Sequence, residues 1–466
     1  MSKLKLRGKD IRALGYPEGP VISIAMNIME KEYKFEKEEV VMNLLRAILA
    51  SPVEYANDAV LGLIAQQLLP NQDPEGADVS LNQTGVAFSI FGGQNIEQGA
   101  MNQMYQAAKL PVAVAGALMP DAHSGYGLPI GGVLATENAV IPYGVGVDIG
   151  CRMCLSVFDI DPKELIQKEA YFTRELQAAT LFGGGRQFEK TASHEVLDRP
   201  EFDEIAILKS LQGRAARQLG SSGSGNHFVE WGIVEIGEAD PVLGLAPGNY
   251  LGLLSHSGSR ALGASIANHY TRIAKEKRVL PGEARNLAWL TLDEAEGIEY
   301  WLAMNLAGDY ASACHDIIHA KISAQLGRKA VGRVENHHNF AWKEMVDGRE
   351  CIVHRKGATP AGKDVLGVIP GSMTAPGYIV KGRGEAASLA SAAHGAGRKM
   401  SRTAAINSIT HALLKETLGK HGVKLLGGGL DEAPQAYKNI GEVMQSQQEL
   451  VDIVGRFTPK IVRMDG

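Results

Sequence analysis

The sequence predicts an α+β protein, with one large domain at residues 82–466 and a small helical amino-terminal extension at residues 1–75. Apolar residues follow a helical spacing in the amino-terminal segment, whereas later short β-like runs, glycine turns and helical stretches alternate irregularly. This irregular order favours an α+β domain over a regular βαβ alternation. With 466 residues, the chain is long enough for a large domain with a small companion.

The extension is predicted to contain two helices. Apolar residues recur at helical spacing at Val40, Val41, Leu44, Leu45, Ile48 and Leu49. Pro52 ends this run, and residues 57–69 form a second short amphipathic stretch that stops at Pro70. Residues 70–76 are polar and rich in proline and glycine, which is typical of a linker, so we expect a domain boundary between residues 70 and 82.

In the large domain, strands are predicted at residues 112–114, 132–135, 153–158 and 351–354. Helices are predicted at about residues 262–278, 284–306 and 309–326. No internal repeat interrupts this pattern.

Composition and charge limit the possible classes of protein. No run of 18 apolar residues occurs, and the charged residues 1–7 lack the apolar core of a signal peptide, so we expect a cytoplasmic protein without a membrane partner. The four cysteines are too sparse for a disulfide scaffold. The net charge of −5 does not indicate a nucleic-acid partner, so any such binding needs local basic patches. Candidates are Arg355 with Lys356, Lys381 with Arg383, and Arg398 with Lys399 and Arg402.

Two familiar signatures almost match. Residues 357–364 resemble a phosphate-binding P-loop, but Asp364 replaces the hydroxyl residue and Pro360 removes a backbone N–H. Residues 315–319 resemble a zinc-protease helix, but Asp316 replaces the catalytic glutamate and is shorter by one methylene. We therefore expect no P-loop, and we expect His315 and His319 to lie on a solvated or packed helix face.

A wider set of residues indicates a metal site. Asp148 and Cys151 lie three residues apart after a glycine-rich turn, and further histidines stand in loops rich in glycine, serine or asparagine. These histidines are His227, His256, His337, His338 and His394. The adjacent His337 and His338 cannot both face one site in an extended chain. Imidazole and thiolate favour zinc, whereas carboxylate favours manganese, so composition leaves the ion undecided.

The same residues lie in motifs that resemble those of the RtcB family. These motifs are MPDAHSGYGLPIGG at 119–132, GVDIGC at 146–151, GNHFVE at 225–230, HSGSR at 256–260, HN at 338–339, VHRKGAT at 353–359, IPGSM at 369–373 and HGAGR at 394–398, with Ser401 and Arg402. They cover roughly residues 85–460 in order and at compatible spacing. The large domain is therefore expected to be an RtcB-like catalytic domain.

This resemblance implies a reaction. RtcB-like proteins join RNA ending in a 3′-phosphate or a 2′,3′-cyclic phosphate to RNA with a 5′-hydroxyl, and they consume GTP. The resemblance implies that two Mn²⁺ ions share the thiolate of Cys151, with Asp148, His227, His256 and His338 as the other ligands. It also implies that His394 carries guanylate and that Asp121 is an acidic residue near the reacting centre.

The resemblance also implies nucleotide and phosphate contacts. The positions expected around the guanylate nucleotide are Asn226, His227, Phe228, Val229, Glu230, His338, Asn339, Pro370, Gly371, Ser372, Met373, His394, Gly395, Ala396, Gly397 and Tyr437. Arg260, Arg398 and Arg402 are candidates for phosphate or RNA contacts, since guanidinium matches phosphate geometry.

Two positions depart from the family pattern. Asp465 stands where many members have a lysine that contacts the nucleotide, with Lys460 and Arg463 as candidate substitutes, and Gly377 stands where the family has a serine. These departures motivate an alternative hypothesis, an RNA-end-binding homologue without ligase turnover. A second alternative is a metal-dependent RNA cyclic phosphodiesterase that needs neither GTP nor His394.

Overall fold

The computed structural model describes residues 4, 6–17, 20–56, 58–69 and 77–466. The amino-terminal segment contains the helices α1 (Gly8–Ala13), α2 (Pro20–Glu32), α3 (Glu38–Ala50), α4 (Pro52–Tyr55) and α5 (Gly62–Leu68). The predicted helix at residues 40–49 is therefore confirmed, and α5 covers most of the second one. The expected linker at residues 70–76 and residue 57 lie outside the described residues.

The other helices of the described residues follow in chain order. They are α6 (Gln98–Ala108), α7 (Pro142–Val145), α8 (Lys163–Gln167), α9 (Glu169–Ala179), α10 (Glu201–Glu204), α11 (Ala206–Gln218), α12 (Arg260–Lys277), α13 (Ala295–Leu326), α14 (Arg402–Ser408), α15 (His411–His421) and α16 (Ile440–Gln445). The amino-terminal helices bury their apolar faces in a cluster of their own that also includes Ala295 and Ile298, so they pack against the start of α13.

The strands of the described residues are β1 (Ala77–Asp78), β2 (Phe88–Ile90), β3 (Ala113–His123), β4 (Ile130–Thr136), β5 (Ala139–Val140), β6 (Arg152–Phe158), β7 (Phe228–Ile236), β8 (Gly248–Ser257), β9 (Arg278–Val279), β10 (Leu290–Thr291), β11 (Gly332–His337), β12 (Asn339–Val346), β13 (Arg349–Lys356), β14 (Ala358–Pro360), β15 (Leu366–Ile369), β16 (Gly377–Gly382), β17 (Ser391–Ala393), β18 (Lys424–Leu426) and β19 (Val451–Met464). Helices and strands therefore follow one another irregularly, and the predicted α+β class is confirmed.

An eight-stranded sheet carries most of the large domain. Its strands run in the order β11-β6-β8-β7-β19-β16-β15, and β18 pairs with β19. The two ends of this path meet, because the side-chain amide of Asn336 on β11 donates to the carbonyl of Val368 on β15 and accepts from its N–H, at 3.3 and 2.8 Å. The sheet therefore curls into a barrel-like layer, with Met153, Leu155 and Val157 in one of its apolar clusters.

A five-stranded sheet in the order β12-β13-β4-β3-β2 packs beside the first. The two sheets are joined at one residue, His338, because β11 ends at His337 and β12 begins at Asn339. A residue at this junction faces the space between the sheets, and that space forms the cavity described below.

One predicted boundary is wrong. Residues 284–306 and 309–326 were expected to form two helices, but residues 290–291 pair with β5 and a single helix runs over Ala295–Leu326. Gly308 interrupts the sequence pattern without ending α13. A β-carbon at Gly308 would lie 2.8 Å from the Phe340 ring, so the small residue permits close packing that offsets its cost of about 1 kcal/mol in a helix.

The other predicted elements of the large domain are present, and α12 covers most of the helix predicted at residues 262–278. None of the helices in the described residues is both long enough and apolar enough to span a bilayer.

Gly150 provides a test of this packing. Its φ is +68°, and a β-carbon there would lie 2.7 Å from the backbone of Gly308 on α13. We expect Gly150→Ala to lower the free energy of unfolding by about 2–4 kcal/mol, since strain and overpacking add. Denaturant unfolding measures this change.

Gly185→Ala is the matched control for this variant, because Gly185 is exposed and a β-carbon there meets nothing within 4 Å. It should change the free energy of unfolding by no more than about 0.5 kcal/mol. Equal stability of both variants would contradict the close approach of the two backbones.

Candidate active site

Strand pairing gathers four candidate ligands at one edge of the large sheet. Cys151 directly precedes β6, and His227 directly precedes β7. His256 is near the end of β8, and His338 follows the end of β11. Because β8 runs antiparallel to β6 and β7, and β11 runs antiparallel to β6, these starts and ends meet at the same edge.

The side chains of this group touch one another. Cys151 Sγ lies 3.4 Å from His227 Nε2 and 3.2 Å from His256 Nε2. His256 Nε2 lies 3.2 Å from His338 Nε2, and Asp148 Oδ2 lies 2.9 Å from His227 Nε2. Cys151, His227 and His256 form a buried group whose donor atoms lie within 4.8 Å of one another, which is a suitable spacing for ligands of a metal ion.

Backbone carbonyls orient two of these imidazoles. His256 Nδ1 lies 3.0 Å from the carbonyl of Asn226, so it carries the ring proton and leaves Nε2 free to bind an ion. His227 Nδ1 lies 2.8 Å from both the carbonyl of Ser222 and the Arg260 guanidinium, and its Nε2 faces Asp148 and Cys151. An ion bound at Nε2 would leave the ring proton on Nδ1, where the Ser222 carbonyl accepts it.

Burial keeps most of the group uncharged. It raises the pKa of the Cys151 thiol well above its usual range and lowers the pKa of His256 to about 3. For Asp148, burial raises the pKa, but His227 and Arg260 outweigh it, and the net shift is downward. The Nδ1 atom of His338 is buried and has no hydrogen-bond partner. This set of one buried thiol, one carboxylate and three imidazoles fits a divalent cation. The charge of the cation would favour the thiolate form of Cys151 over the thiol.

His394 approaches the same group from a different part of the fold. It follows β17, and its ring centroid lies 5.0 Å from that of His338. Its Nδ1 lies 2.6 Å from Asp121 Oδ2, and because a carboxylate only accepts, the ring proton is on Nδ1. The same oxygen accepts from the backbone N–H groups of His394 and Gly395, at 3.1 and 3.3 Å. The Nε2 atom of His394 therefore keeps its lone pair.

The loop after His394 packs directly on β3. Gly397 has a φ of +71°, and a β-carbon there would lie 2.1 Å from the carbonyl oxygen of Asp121. A larger residue would push the loop away from β3 and break the contact between His394 and Asp121, so glycine is required here.

These groups surround one cavity of about 760 Å³. Most of the predicted site residues line it, namely Asp148, Cys151, Asn226, Phe228, Glu230, His256, His338, Asn339, Pro370, Gly371, Ser372, Met373, His394, Gly395, Ala396, Gly397, Arg398, Arg402 and Tyr437. Four other predicted residues, Asp121, His227, Arg260 and Val229, do not line the cavity directly. Asp121 lies behind His394, His227 contacts Cys151, and Arg260 lies behind His227. Val229 faces an apolar cluster on the other side of β7.

The predicted basic residues at the cavity rim are paired with acids. Arg398 contacts Glu432 at 3.3 Å and Arg402 contacts it at 3.0 Å. Tyr437 donates a hydrogen bond to Glu432, and the Arg398 guanidinium lies over the Tyr437 ring at 5.2 Å. Glu432 is almost fully buried and was not predicted, because a lone acid outside any motif gives no signal in the sequence.

The other two predicted basic patches also contain side chains that are buried or paired with acids. Arg355 is buried in a bidentate pair with Glu344, at 2.7 and 2.8 Å, and burial lowers the pKa of Lys356 to about 7. Lys381 and Arg383 form ion pairs with Asp240 and Asp452. Lys356 nevertheless lines the cavity, where it donates to the carbonyls of Tyr126 and Tyr143.

The far end of the cavity is apolar apart from one acid. Val462 and Met464 line it, whereas Arg463 faces the opposite side of β19, where it donates to the carbonyl of Leu176 at 3.2 Å. Arg463 therefore does not take the place of the missing lysine. Burial raises the pKa of Glu230 well above its usual range and so favours the neutral carboxyl.

The P-loop interpretation is excluded by backbone structure. Residues 358–360 form β14, which pairs with β17, and the next element is another strand, β15. A P-loop would instead lead into a helix whose amino terminus binds phosphate.

Metal binding should release a proton, because burial raises the pKa of the Cys151 thiol and a metal binds the thiolate. The affinity for a divalent ion should therefore rise with pH. We expect Cys151→Ala to release about one proton fewer per chain than the unmodified protein. Calorimetric titration with Mn²⁺ in buffers of different ionisation enthalpy measures this number.

Cys351→Ala is the control for this titration, because Cys351 is a buried free cysteine outside the cluster. It should release the same number of protons as the unmodified protein. Equal release by Cys151→Ala would show that the thiol does not bind the ion.

Comparisons with known proteins agree with this geometry. The family model described as tRNA-splicing ligase RtcB matches residues 103–209 and 186–465. The RNA-splicing ligase RtcB of Escherichia coli K12 is 31% identical over 401 residues, which covers 78% of this chain and 93% of that protein.

Two further relatives show similar identity. The RNA-splicing ligase RtcB of Mycobacterium tuberculosis is 32% identical over 429 residues, covering 77% of this chain and 98% of that protein. The tRNA-splicing ligase RtcB of Nanoarchaeum equitans is 31% identical over 416 residues, covering 74% and 87%. Together with the match to the family model, these similarities show that the chain belongs to the RtcB family.

Proposed function

We propose that this protein is a GTP- and Mn²⁺-dependent RNA ligase that joins 3′-phosphate or 2′,3′-cyclic phosphate ends to 5′-hydroxyl ends through a guanylylated His394. RNA ligation is the activity in the names of its relatives. The observation that carries the proposal for this chain is the contact between His394 and the ligand group. The His394 ring lies beside His338, and both line the cavity that contains Cys151 and His256.

His394 has the features of a nucleophile. Asp121 holds the proton on Nδ1, so the lone pair on Nε2 is available to attack the α-phosphorus of GTP and displace pyrophosphate. The Asp121 carboxylate also stabilises the positive charge that develops on the ring during attack. The backbone N–H groups of His394 and Gly395 hold the same carboxylate oxygen, which fixes the ring relative to its loop.

A covalent intermediate solves a chemical problem for RNA joining. A 3′-phosphate has negative oxygens that repel a nucleophile, and it lacks a good leaving group. When its oxygen attacks the guanylyl phosphorus on His394, the ring is released and a phosphoanhydride is formed. The 5′-hydroxyl oxygen then attacks the RNA phosphorus, GMP leaves, and one difficult step has become easier ones. A 2′,3′-cyclic phosphate first requires water to open it to a 3′-phosphate.

The donor set suits the metal in this proposal. Asp148, Cys151, His227, His256 and His338 would hold the two Mn²⁺ ions, and the unpaired Nδ1 of His338 supports such ligation. When bound, the ions would neutralise phosphoryl charge and help to orient the attacking and leaving oxygens.

The guanylate nucleotide would occupy the cavity next to His394. Asn226, Asn339 and Ser372 offer polar groups there, and Tyr437 offers an aromatic face with its hydroxyl held by Glu432. Glu230 offers a carboxyl group at the apolar end. Arg398 and Arg402 would exchange contacts with Glu432 and Asp431 for contacts with phosphate when the RNA ends enter.

One observation favours a second candidate, an RNA-end-binding homologue without ligase turnover. Arg463 faces away from the cavity and Gly377 adds no hydroxyl, so neither residue supplies a nucleotide contact at the end bounded by Val462 and Met464. This candidate predicts that Mn²⁺ and RNA ends bind but that no joined product forms.

Removing the nucleophile tests the central step. With Mn²⁺ and α-labelled GTP, the protein should form an acid-labile histidine adduct, and His394→Ala should abolish it because no other group takes the place of Nε2. His411→Ala, which changes an exposed histidine at the start of α15, should label normally. Labelled protein should then join a 3′-phosphate RNA to a 5′-hydroxyl RNA.

The result distinguishes the candidates. Failure of the unmodified protein to form an adduct or a joined product would contradict ligation, and retained RNA-end binding would then favour the second candidate. Full hydrolysis of cyclic phosphate by His394→Ala without GTP, and without any joining by the unmodified protein, would identify a phosphodiesterase instead.

Asp121→Asn tests the charge beside His394. The backbone N–H groups of His394 and Gly395 would hold the amide oxygen in the place of Asp121 Oδ2, so the ring proton stays on Nδ1, but the negative charge that stabilises the ring during attack is lost. We expect adduct formation to slow by about 10²–10⁴-fold, with the fold retained. Single-turnover labelling measures the rate, with Asp159→Asn, an exposed carboxylate after β6, as control. An unchanged rate would show that the charge of Asp121 does not assist the attack.

A further inference from the structure

A second buried group of metal-ligand type lies on the opposite side of the sheet from the cavity. It consists of Cys154 on β6 and of His315 and His319 on α13. The donor atoms of these three side chains lie within 4.8 Å of one another. The relative exposure of the three residues is 0%, 0% and 3%. The nucleotide, RNA and metal contacts proposed above use none of them.

Strand alternation explains why two such groups lie back to back. In the pairing of β6 with β8, Met153 lies opposite His256, and Cys154 lies opposite Ser255. Successive side chains of a strand point to opposite faces. Met153 and His256 line the cavity, so Cys154 and Ser255 face the other way, toward α13. His315 and His319 are four residues apart and therefore share the face of α13 that covers these strands.

One ring nitrogen of each imidazole forms a hydrogen bond to a neighbouring protein group, as is usual for metal-bound histidines. His315 Nε2 lies 3.2 Å from the carbonyl of Ser257, and His319 Nδ1 lies 2.7 Å from Ser156 Oγ. A carbonyl only accepts, so His315 carries its proton on Nε2 and directs the lone pair of Nδ1 inward. His315 Nδ1 and His319 Nε2 then meet at the Ser255 hydroxyl, at 2.6 and 2.7 Å.

We propose that Cys154, His315 and His319 bind a structural zinc ion, with the Ser255 hydroxyl at the fourth position. One sulfur and two imidazole nitrogens without a carboxylate favour zinc over manganese or magnesium. Bonds of about 2.0–2.3 Å place tetrahedral ligands about 3.3–3.7 Å apart, so the present group closes around an ion with small side-chain shifts. The full burial of its ligands makes this a closed, structural site rather than a catalytic one.

The position of this site gives it a role in the fold. The zinc ion would tie α13 to β6 and β8, the strands that carry Cys151 and His256 at their ends. It would therefore stabilise the positions of Cys151 and His256 from the opposite face of the sheet. The proposal is independent of the RNA ligase function, because it concerns other residues and another face of the sheet.

Hydrogen bonds alone offer a rival account of the same residues. Ser156 can donate to His319, His319 to Ser255, Ser255 to His315, and His315 to the carbonyl of Ser257. That chain satisfies every ring nitrogen without an ion and leaves Cys154 as a buried apolar residue. The two accounts differ in whether the Cys154 thiolate has a metal bond.

Cobalt spectroscopy in a Cys151→Ser background separates them. This variant removes the thiolate of the cavity site and leaves the second group intact. We expect purified Cys151→Ser protein to contain about one zinc per chain by mass spectrometry, and to show a thiolate-to-cobalt charge-transfer band after exchange with Co²⁺. Adding Cys154→Ser should abolish the band and the bound zinc, whereas adding Cys351→Ser should change neither.

The Cys151→Ser protein alone can overturn the proposal, since its second group is unaltered. A folded Cys151→Ser protein that holds no zinc after growth with zinc and shows no charge-transfer band with Co²⁺ would establish the hydrogen-bonded account. A band that survives in the variant with both Cys151→Ser and Cys154→Ser would also refute the assignment.

Discussion

The antiparallel pairing of β6 with β8 is the constraint on which the rest of this structure depends. The register that places Met153 opposite His256 brings Cys151, two residues before Met153, to within 3.2 Å of the His256 ring. A shift of one residue would exchange the two faces of the strand and would turn His256 toward α13. The same register sets the second group, since Cys154 and Ser255 are the next pair along the ladder. One set of backbone hydrogen bonds therefore positions both groups.

The second constraint joins the two sheets. His338 stands between β11 and β12, so it belongs to both layers and can contact His256 on one side and His394 on the other. Asp121 and His394 are 273 residues apart in sequence, and their contact depends on the close approach of Gly397 to β3. The candidate nucleophile is thus held by the five-stranded sheet, and the ligands are held mainly by the barrel-like sheet.

Local patterns predicted much of this arrangement, and they failed where distant contacts decide. The α+β class, the helix α3, the strand β6 and the grouping of Asp148, Cys151 and His394 could be predicted from spacing and motifs. The continuity of α13 through Gly308 could not, because the benefit of glycine comes from Phe340 and Gly150, which are remote in sequence. Arg355 was predicted as part of a basic surface, but Glu344 on the neighbouring strand buries it. Glu432 organises the arginines of the rim and stands in no motif.

The net charge of the chain is a poor guide to the charge inside the cavity. The protein carries a net charge of −5, yet burial raises the pKa of Glu230 and favours its neutral form, whereas the net shift of the Asp148 pKa is downward. The negative charges that would partly neutralise a divalent ion in the ligand group are those of Asp148 and of the Cys151 thiolate that forms when the ion binds. The charge of the ion would act on a phosphoryl group bound in the same cavity, which Arg398 and Arg402 also line. The local placement of charge, rather than the net charge of the chain, therefore decides how well the cavity suits a phosphate.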